Sequence, residues 1–98
     1  MIISKEKNGN ALTLKVKGRI DTATSPKLQK EIEDSIEGVE TLAFDFSEME
    51  YISSSGLSVL LSAQKKMNGQ GKMTVKNVSE TVMEIFEITG FSDILTIE

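Results

Sequence analysis

Apolar and polar residues alternate with a period of two at the start of the chain, then switch repeatedly to the helical period. Residues 2–7 alternate weakly and read as an edge strand. Asn8-Gly9-Asn10 is a turn signal. In Ala11–Lys17, Leu12, Leu14 and Val16 fall on one face and Thr13, Lys15 and Lys17 on the other. The two segments predict a β-hairpin. Gly18–Ser25 is polar and reads as a connection. Ser25-Pro26 has the form of a helix start, with a hydroxyl at the N-cap and proline at the first helical position. Leu28, Ile32 and Ile36 recur every four residues among charged neighbours, predicting an amphipathic helix closed by Gly38.

Thr41–Ser47 is apolar apart from Asp45 and predicts a central strand, parallel to a neighbour and covered on both faces. Glu48–Ile52 reads as a short connection. From Ser54 or Ser55 onward the period is helical. Leu57, Leu60, Leu61, Gln64 and Met67 share one face with Val59 and Ala63 beside it, and Lys65 and Lys66 lie near the C-terminal end. Asn68-Gly69-Gln70-Gly71 ends that helix. Lys72–Lys76 alternates, with Met73 and Val75 inward. Ser79 is the expected N-cap of a third helix, with Val82, Ile85, Phe86 and Thr89 at helical spacing and Gly90 as its end. Phe91 and Ile94–Ile97 form a final apolar patch or short strand. The order of elements predicts an α/β fold on one mixed sheet, with right-handed crossovers and short loops. Ninety-eight residues suit a single domain over 1–98.

Composition narrows the chemistry. Cysteine and histidine are both absent. Disulfides, thiolate zinc sites and Ser-His or Cys-His catalytic pairs are thereby excluded. The net charge is −4 and the basic residues are dispersed, with only Lys65 and Lys66 adjacent. Without a basic stripe, and with only four Phe and one Tyr for stacking, a nucleic-acid partner is not expected. No apolar run approaches the roughly 18–20 residues that a membrane span needs. The first residues lack the form of a signal peptide, so a cytoplasmic location is the expectation.

The stretch Tyr51-Ile52-Ser53-Ser54-Ser55-Gly56-Leu57-Ser58 joins the central strand to the second helix. Two readings fit it. In one, a serine simply caps the helix, worth about 1 kcal/mol, and Gly56 relieves crowding in the first turn. In the other, three hydroxyls, more than a cap uses, stand at the carboxyl end of a strand, where open α/β sheets place functional loops. A phosphate on Ser54 would carry about −1.5 to −2 charges and accept from the free N–H groups of the helix start. Asp45, Glu48 and Glu50 would oppose that charge if the fold brought them close. A nucleophilic serine is disfavoured: no histidine activates it, and Ser53-Ser54-Ser55-Gly56 lacks the first glycine of a nucleophile elbow. A Ser–Lys pair would need Lys65 or Lys66, which read as solvated helix-end residues. Asp21 reads as a loop acid and Asp45 as an outward or strand-end side chain. Gly69-Gln70-Gly71 lacks the remaining residues of a phosphate loop, so nucleotide binding at the joint has no support. No catalytic residue, metal site or cofactor is expected.

Several stretches together resemble the STAS domain family, the bacterial anti-sigma factor antagonists, also appended to sulfate transporters. They are Gly18-Arg19-Ile20-Asp21 with Thr22, the strand Leu42–Ser47, the run Tyr51–Leu57, and Gly90-Phe91. The resemblance covers essentially the whole chain. It implies a small mixed β-sheet with helices packed mainly on one face. It also implies a non-enzymatic switch, which binds an anti-sigma factor of the serine-kinase type, frees a sigma factor, and lets go when phosphorylated. In the family the joint usually reads Asp-Ser-Ser/Thr-Gly, and the serine after the aspartate is phosphorylated. By position that serine is Ser54; Ser53 stands where the aspartate is usual. The departure keeps Ser55 as second choice and Ser53 as a further one. It also keeps open an unphosphorylated subunit of a larger lipid-transport or stress-signalling assembly. The partner-binding residues implied are Asp21, Thr22, Ser53, Ser54, Ser55, Gly56, Leu57 and Ser58, on a monomer that neither binds nucleic acid nor inserts in a membrane.

Overall fold

The computed structural model describes residues 1–98. Strands β1 (Ile2–Asn8) and β2 (Ala11–Ile20) form the antiparallel hairpin, in the register Ile3↔Val16 and Asn8↔Ala11 around the turn Gly9-Asn10. Helix α1 (Ser25–Ser35) follows, then β3 (Thr41–Ile52), α2 (Ser54–Asn68), β4 (Lys72–Lys76), α3 (Glu80–Thr89) and a 3₁₀ turn at Phe91–Asp93. The sheet order is β1-β2-β3-β4, with β3 parallel to both neighbours. The last apolar stretch runs beside the outer edge of β4: Val75 N–H donates to Thr96 O (2.9 Å) and Glu98 N–H donates to Val75 O (2.9 Å).

One apolar core lies between the sheet and its helices. Leu12, Leu14, Val16 and Ile20 of β2, Leu42, Phe44 and Phe46 of β3, and Met73 and Val75 of β4 supply the sheet side. Leu28 and Ile32 of α1, Leu57, Leu60 and Met67 of α2, and Val82 and Phe86 of α3 supply the other. The opposite face of the sheet, with Thr13, Lys15, Asp45 and Thr74, stays half-exposed. β3 is therefore covered on one face, not on both. Its apolar run arises because strand residues between two neighbours need only one buried face when the intervening positions are small or hydrogen-bonded: Ala43 is buried, and Asp45 is satisfied at its carboxylate.

Two segments expected as connections are strand. β2 continues through Gly18-Arg19-Ile20, and β3 continues through Glu48 to Ile52. The reason is a pair of bulges. Lys15 pairs with Asp45 but Lys17 with Glu48, and Gly18 pairs with Met49 but Arg19 with Tyr51. Each step inserts one extra residue into β3. Phe46, Met49 and Ile52 consequently point into the core at intervals of three instead of two, which hides the strand from a search for alternation. Gly18 accommodates the bend with φ +102°, a backbone angle that side-chain-bearing residues rarely adopt.

The start of α1 also differs from expectation. Thr24 is the N-cap and Ser25 lies within the helix, buried, while Pro26 keeps its place in the first turn. α1 ends at Ser35 with Ile36 as its C-cap, two residues before Gly38. Ser79 caps α3 as expected, its hydroxyl accepting from Val82 N–H (3.2 Å), and Gly90 ends that helix in the left-handed conformation (φ +81°).

Candidate functional site

The joint between β3 and α2 is built by a cap. Ser53 keeps an extended backbone (φ −91°, ψ 175°) and its Oγ accepts from Gly56 N–H at 3.4 Å, while Leu57 N–H donates to its carbonyl at 2.9 Å. The same Oγ lies 2.9 Å from Ser55 Oγ, so the two half-buried hydroxyls bond each other. Ser54, between them, is exposed, and its hydroxyl makes no hydrogen bond within the chain. Ser58, also exposed, donates to Ser54 O at 3.2 Å. As in any helix start, the first-turn N–H groups lack intrahelical acceptors and carry partial positive charge. The chemistry on offer is one free, outward hydroxyl beside those donors.

Gly56 and Leu57 are buried and support this surface from beneath. A Cβ on Gly56 would lie 2.6 Å from Ile20 Cγ2 and 2.7 Å from Ile52 Cγ1. The helix backbone therefore rests directly on the last residues of β2 and β3. This is a demand of packing, since no left-handed backbone angle is involved.

The loop after β2 is brought to the same place. Ser53 N–H donates to Ile20 O (2.8 Å), which sets Asp21 and Thr22 beside the joint. Asp21 is tied up locally: its Oδ1 accepts from the N–H groups of Ala23 and Thr24, both at 3.0 Å, and Thr24 Oγ1 accepts from Asp21 N–H at 2.8 Å. The Thr24 backbone N–H, above all, holds the Asp21 carboxyl below its ordinary value of 3.8. Asp21 thus shapes the loop, and Thr22 is exposed at its tip.

Two residues border the joint without having been expected there. Arg19 and Tyr51 pair across β2 and β3, and the Arg19 guanidinium carbon sits 4.6 Å from the Tyr51 ring centroid. They point away from the face that carries Ile20 and Ile52. Arg19 is the only arginine of the chain; its partner depends on a register set by the bulges, which the linear pattern does not reveal.

The acids expected to oppose a charge at the joint are mostly engaged. Asp45 accepts from Ser47 N–H (3.0 Å) and Asn77 Nδ2 (3.1 Å), and the Ser47 N–H is the main cause of its lowered pKa. Glu48 pairs with Lys15 (3.6 Å) and Lys17 (4.0 Å). Lys65 and Lys66 lie in the last turn of α2, eleven and twelve residues from Ser54. At about 1.5 Å per residue they are too far to activate its hydroxyl. No group of three or more Asp and Glu side chains is arranged to hold a metal ion, and no helix is long and apolar enough to cross a membrane.

The sequence model of the STAS domain matches residues 3–98. The chain belongs to the STAS domain family. Among its relatives is the anti-sigma-B factor antagonist of Listeria monocytogenes, 34% identical over 97 residues that cover 96% of this chain and 84% of the relative. Among solved structures, an anti-sigma factor antagonist from Mycobacterium paratuberculosis superposes with a TM-score of 0.88 at 22% identity, over 98% of this STAS domain and 83% of that chain. The Bacillus cell fate determinant SpoIIAA in its phosphorylated form superposes with a TM-score of 0.77 at 18% identity, over 99% and 91%. At such identities the structures establish the fold alone: a four-stranded mixed STAS sheet with three helices on one face.

Proposed function

We propose that this STAS domain is an anti-sigma factor antagonist, switched by phosphorylation of Ser54. The observation that carries the reading is the free, exposed Ser54 hydroxyl at the start of α2, set between two serines whose hydroxyls bond each other. Two comparisons support it: a relative named anti-sigma-B factor antagonist, and a fold neighbour, SpoIIAA, described in a phosphorylated form. Serine at position 53 retains the N-cap, a role that serine and aspartate fill about equally well, so the joint keeps its geometry without a carboxylate.

In this reading the unmodified protein binds an anti-sigma factor of the serine-kinase type and acts by occupancy, with no catalysis of its own. Thr22, Ser54 and Ser58 form the contact surface, with Asp21, Ser53 and Ser55 at its margin and Gly56 and Leu57 holding it in place. A phosphate adds about −1.5 to −2 charges at the centre of that surface. The free chain tolerates the charge at a helix start, and the complex must exclude or repel it; that difference in free energy is the switch.

The test is intact-mass measurement after incubation with ATP and the anti-sigma kinase of the same genome, with Ser54→Ala in parallel. One phosphate on the wild type and none on the variant is the expected result. A phosphate that persists on Ser54→Ala moves the site to Ser55 or Ser53. No phosphate, together with stable co-purification in a larger assembly, replaces the switch by the structural-subunit reading.

A further inference from the structure

Charge is unevenly divided along this chain. Residues 1–76 hold all eleven cations and ten of the fifteen acidic side chains. Residues 77–98 hold the other five, Glu80, Glu84, Glu87, Asp93 and Glu98, and no cation. None of these five forms an ion pair. Residues 77–98 therefore carry a charge of −5, and the rest of the chain +1.

The same segment exposes apolar surface. Of the three large apolar side chains that stand out in solvent, Ile88 (85% exposed) and Ile94 (46%) flank the turn after α3, and Ile2 lies on β1. Ile85 and Phe91 beside them are half-buried. By the helical period, Glu80, Glu84 and Glu87 share the outward face of α3, and Ile88 borders them. Scattered single isoleucines are ordinary on a surface. Two exposed isoleucines on a segment whose charged side chains are all unpaired carboxylates give it a defined chemistry.

Its charge selects the occupant. Nucleic acid and anionic lipid would meet a field of their own sign. A second copy packed on this face about a two-fold axis would set the same five acids against each other. The complement is a cationic segment with an apolar stripe. We infer that the outer face of α3, from Glu80 to Ile94, is a second interaction surface, which takes a cationic amphipathic helix of a partner protein. α2 and α3 both start at the carboxyl edge of the sheet and run back. Ile88, in the last turn of α3, therefore lies toward the edge opposite Ser54.

The experiment is an NMR titration of the full ¹⁵N-labelled chain with a designed Lys/Leu peptide carrying leucine at i, i+3, i+4 and i+7. A scrambled peptide of the same composition is the control. Amide shifts confined to α3 and the turn after it are expected, with binding about tenfold weaker for Ile88→Ser and for the double variant Glu84→Lys/Glu87→Lys, and unchanged for Ile2→Ser. These side chains are exposed, so the fold is retained, as circular dichroism verifies. Equal binding of the scrambled peptide, shifts centred on another face, or an unaffected Ile88→Ser variant overturns the inference. So does a dimer, seen by sedimentation, that Ile88→Ser abolishes; it would give the face to a second copy.

Discussion

Replacing Gly56 by alanine sets two effects against each other. In a helix, alanine is favoured over glycine by about 1 kcal/mol, less in the first turn. If α2 began in open space, Gly56→Ala would stabilise the protein. The added Cβ instead falls 2.6 Å from Ile20 Cγ2, 2.7 Å from Ile52 Cγ1 and 3.2 Å from Ile20 Cβ. Ordinary carbon contacts are about 3.5–4.0 Å. Both isoleucines are almost fully buried, at 0% and 1% exposure, and χ1 of a β-branched side chain is stiff, so the packed core opposes the rotation that would move their γ carbons, and Ile20 Cβ cannot move by rotation at all. Overpacking of this kind costs about 1–3 kcal/mol. The expected net loss is about 1–2 kcal/mol, which for a chain of this length lowers Tm by roughly 5–15 °C. Urea unfolding, followed by far-UV circular dichroism, measures it. In an Ile20→Ala background the penalty should shrink, with a coupling of about 1 kcal/mol. A Gly56→Ala protein as stable as the wild type, or more so, would falsify the close seating of α2 on the strand ends, and with it the rigid presentation of Ser54.

Three further outcomes follow from the same contacts. Ser53→Ala removes the α2 cap and the Ser55 hydroxyl partner and should cost about 1 kcal/mol in urea unfolding, whereas Ser53→Asp should stay within a few tenths of wild type. Gly71→Ala should be the worst single glycine replacement, about 3 kcal/mol or more, because its Cβ would collide with the Glu40 backbone carbonyl, which cannot rotate away; a neutral result would contradict the tight approach of that turn to β3. Asp21 and Asp45 both titrate below 3.8 in the folded state, so the unfolded chain binds more protons near that pH and their stabilisation, complete above 3.8, is lost as pH falls through their folded values. Urea midpoints between about pH 2 and 5 should fall with acid less steeply in Asp45→Asn than in the wild type, and equal slopes would remove Asp45 from the account.

Local patterns were legible wherever one residue type meets one need. The alternation of Leu12, Leu14 and Val16, the helical spacing of Leu57, Leu60 and Met67, and the punctuation at Ser79 and Gly90 each report a single strand face, helix face or cap, set by neighbours a few residues away. So did the joint itself: a run of hydroxyls and a glycine between a strand and a helix is a local event. What the linear pattern concealed arises between strands. The two bulges in β3 are relations to β2, and they turn Glu48–Ile52 from an apparent connection into strand. Asp21 and Thr24, rather than Ser25, order the entry to α1, because Asp21 Oδ1 can reach the Ala23 and Thr24 N–H groups only once β2 has ended at Ile20.

The order of elements, the single α/β core and the position of the serine joint were thus decided by the sequence alone, because hydrophobic period and capping act over short range. Tertiary structure decided the rest. It seated Gly56 against Ile20 of the neighbouring strand instead of leaving it a mere helix residue, and it set Arg19 over Tyr51. Ile20 and Gly56 are 36 residues apart in the chain, and Arg19 and Tyr51 are 32. Only closing the sheet, with its bulged register, brings them within reach.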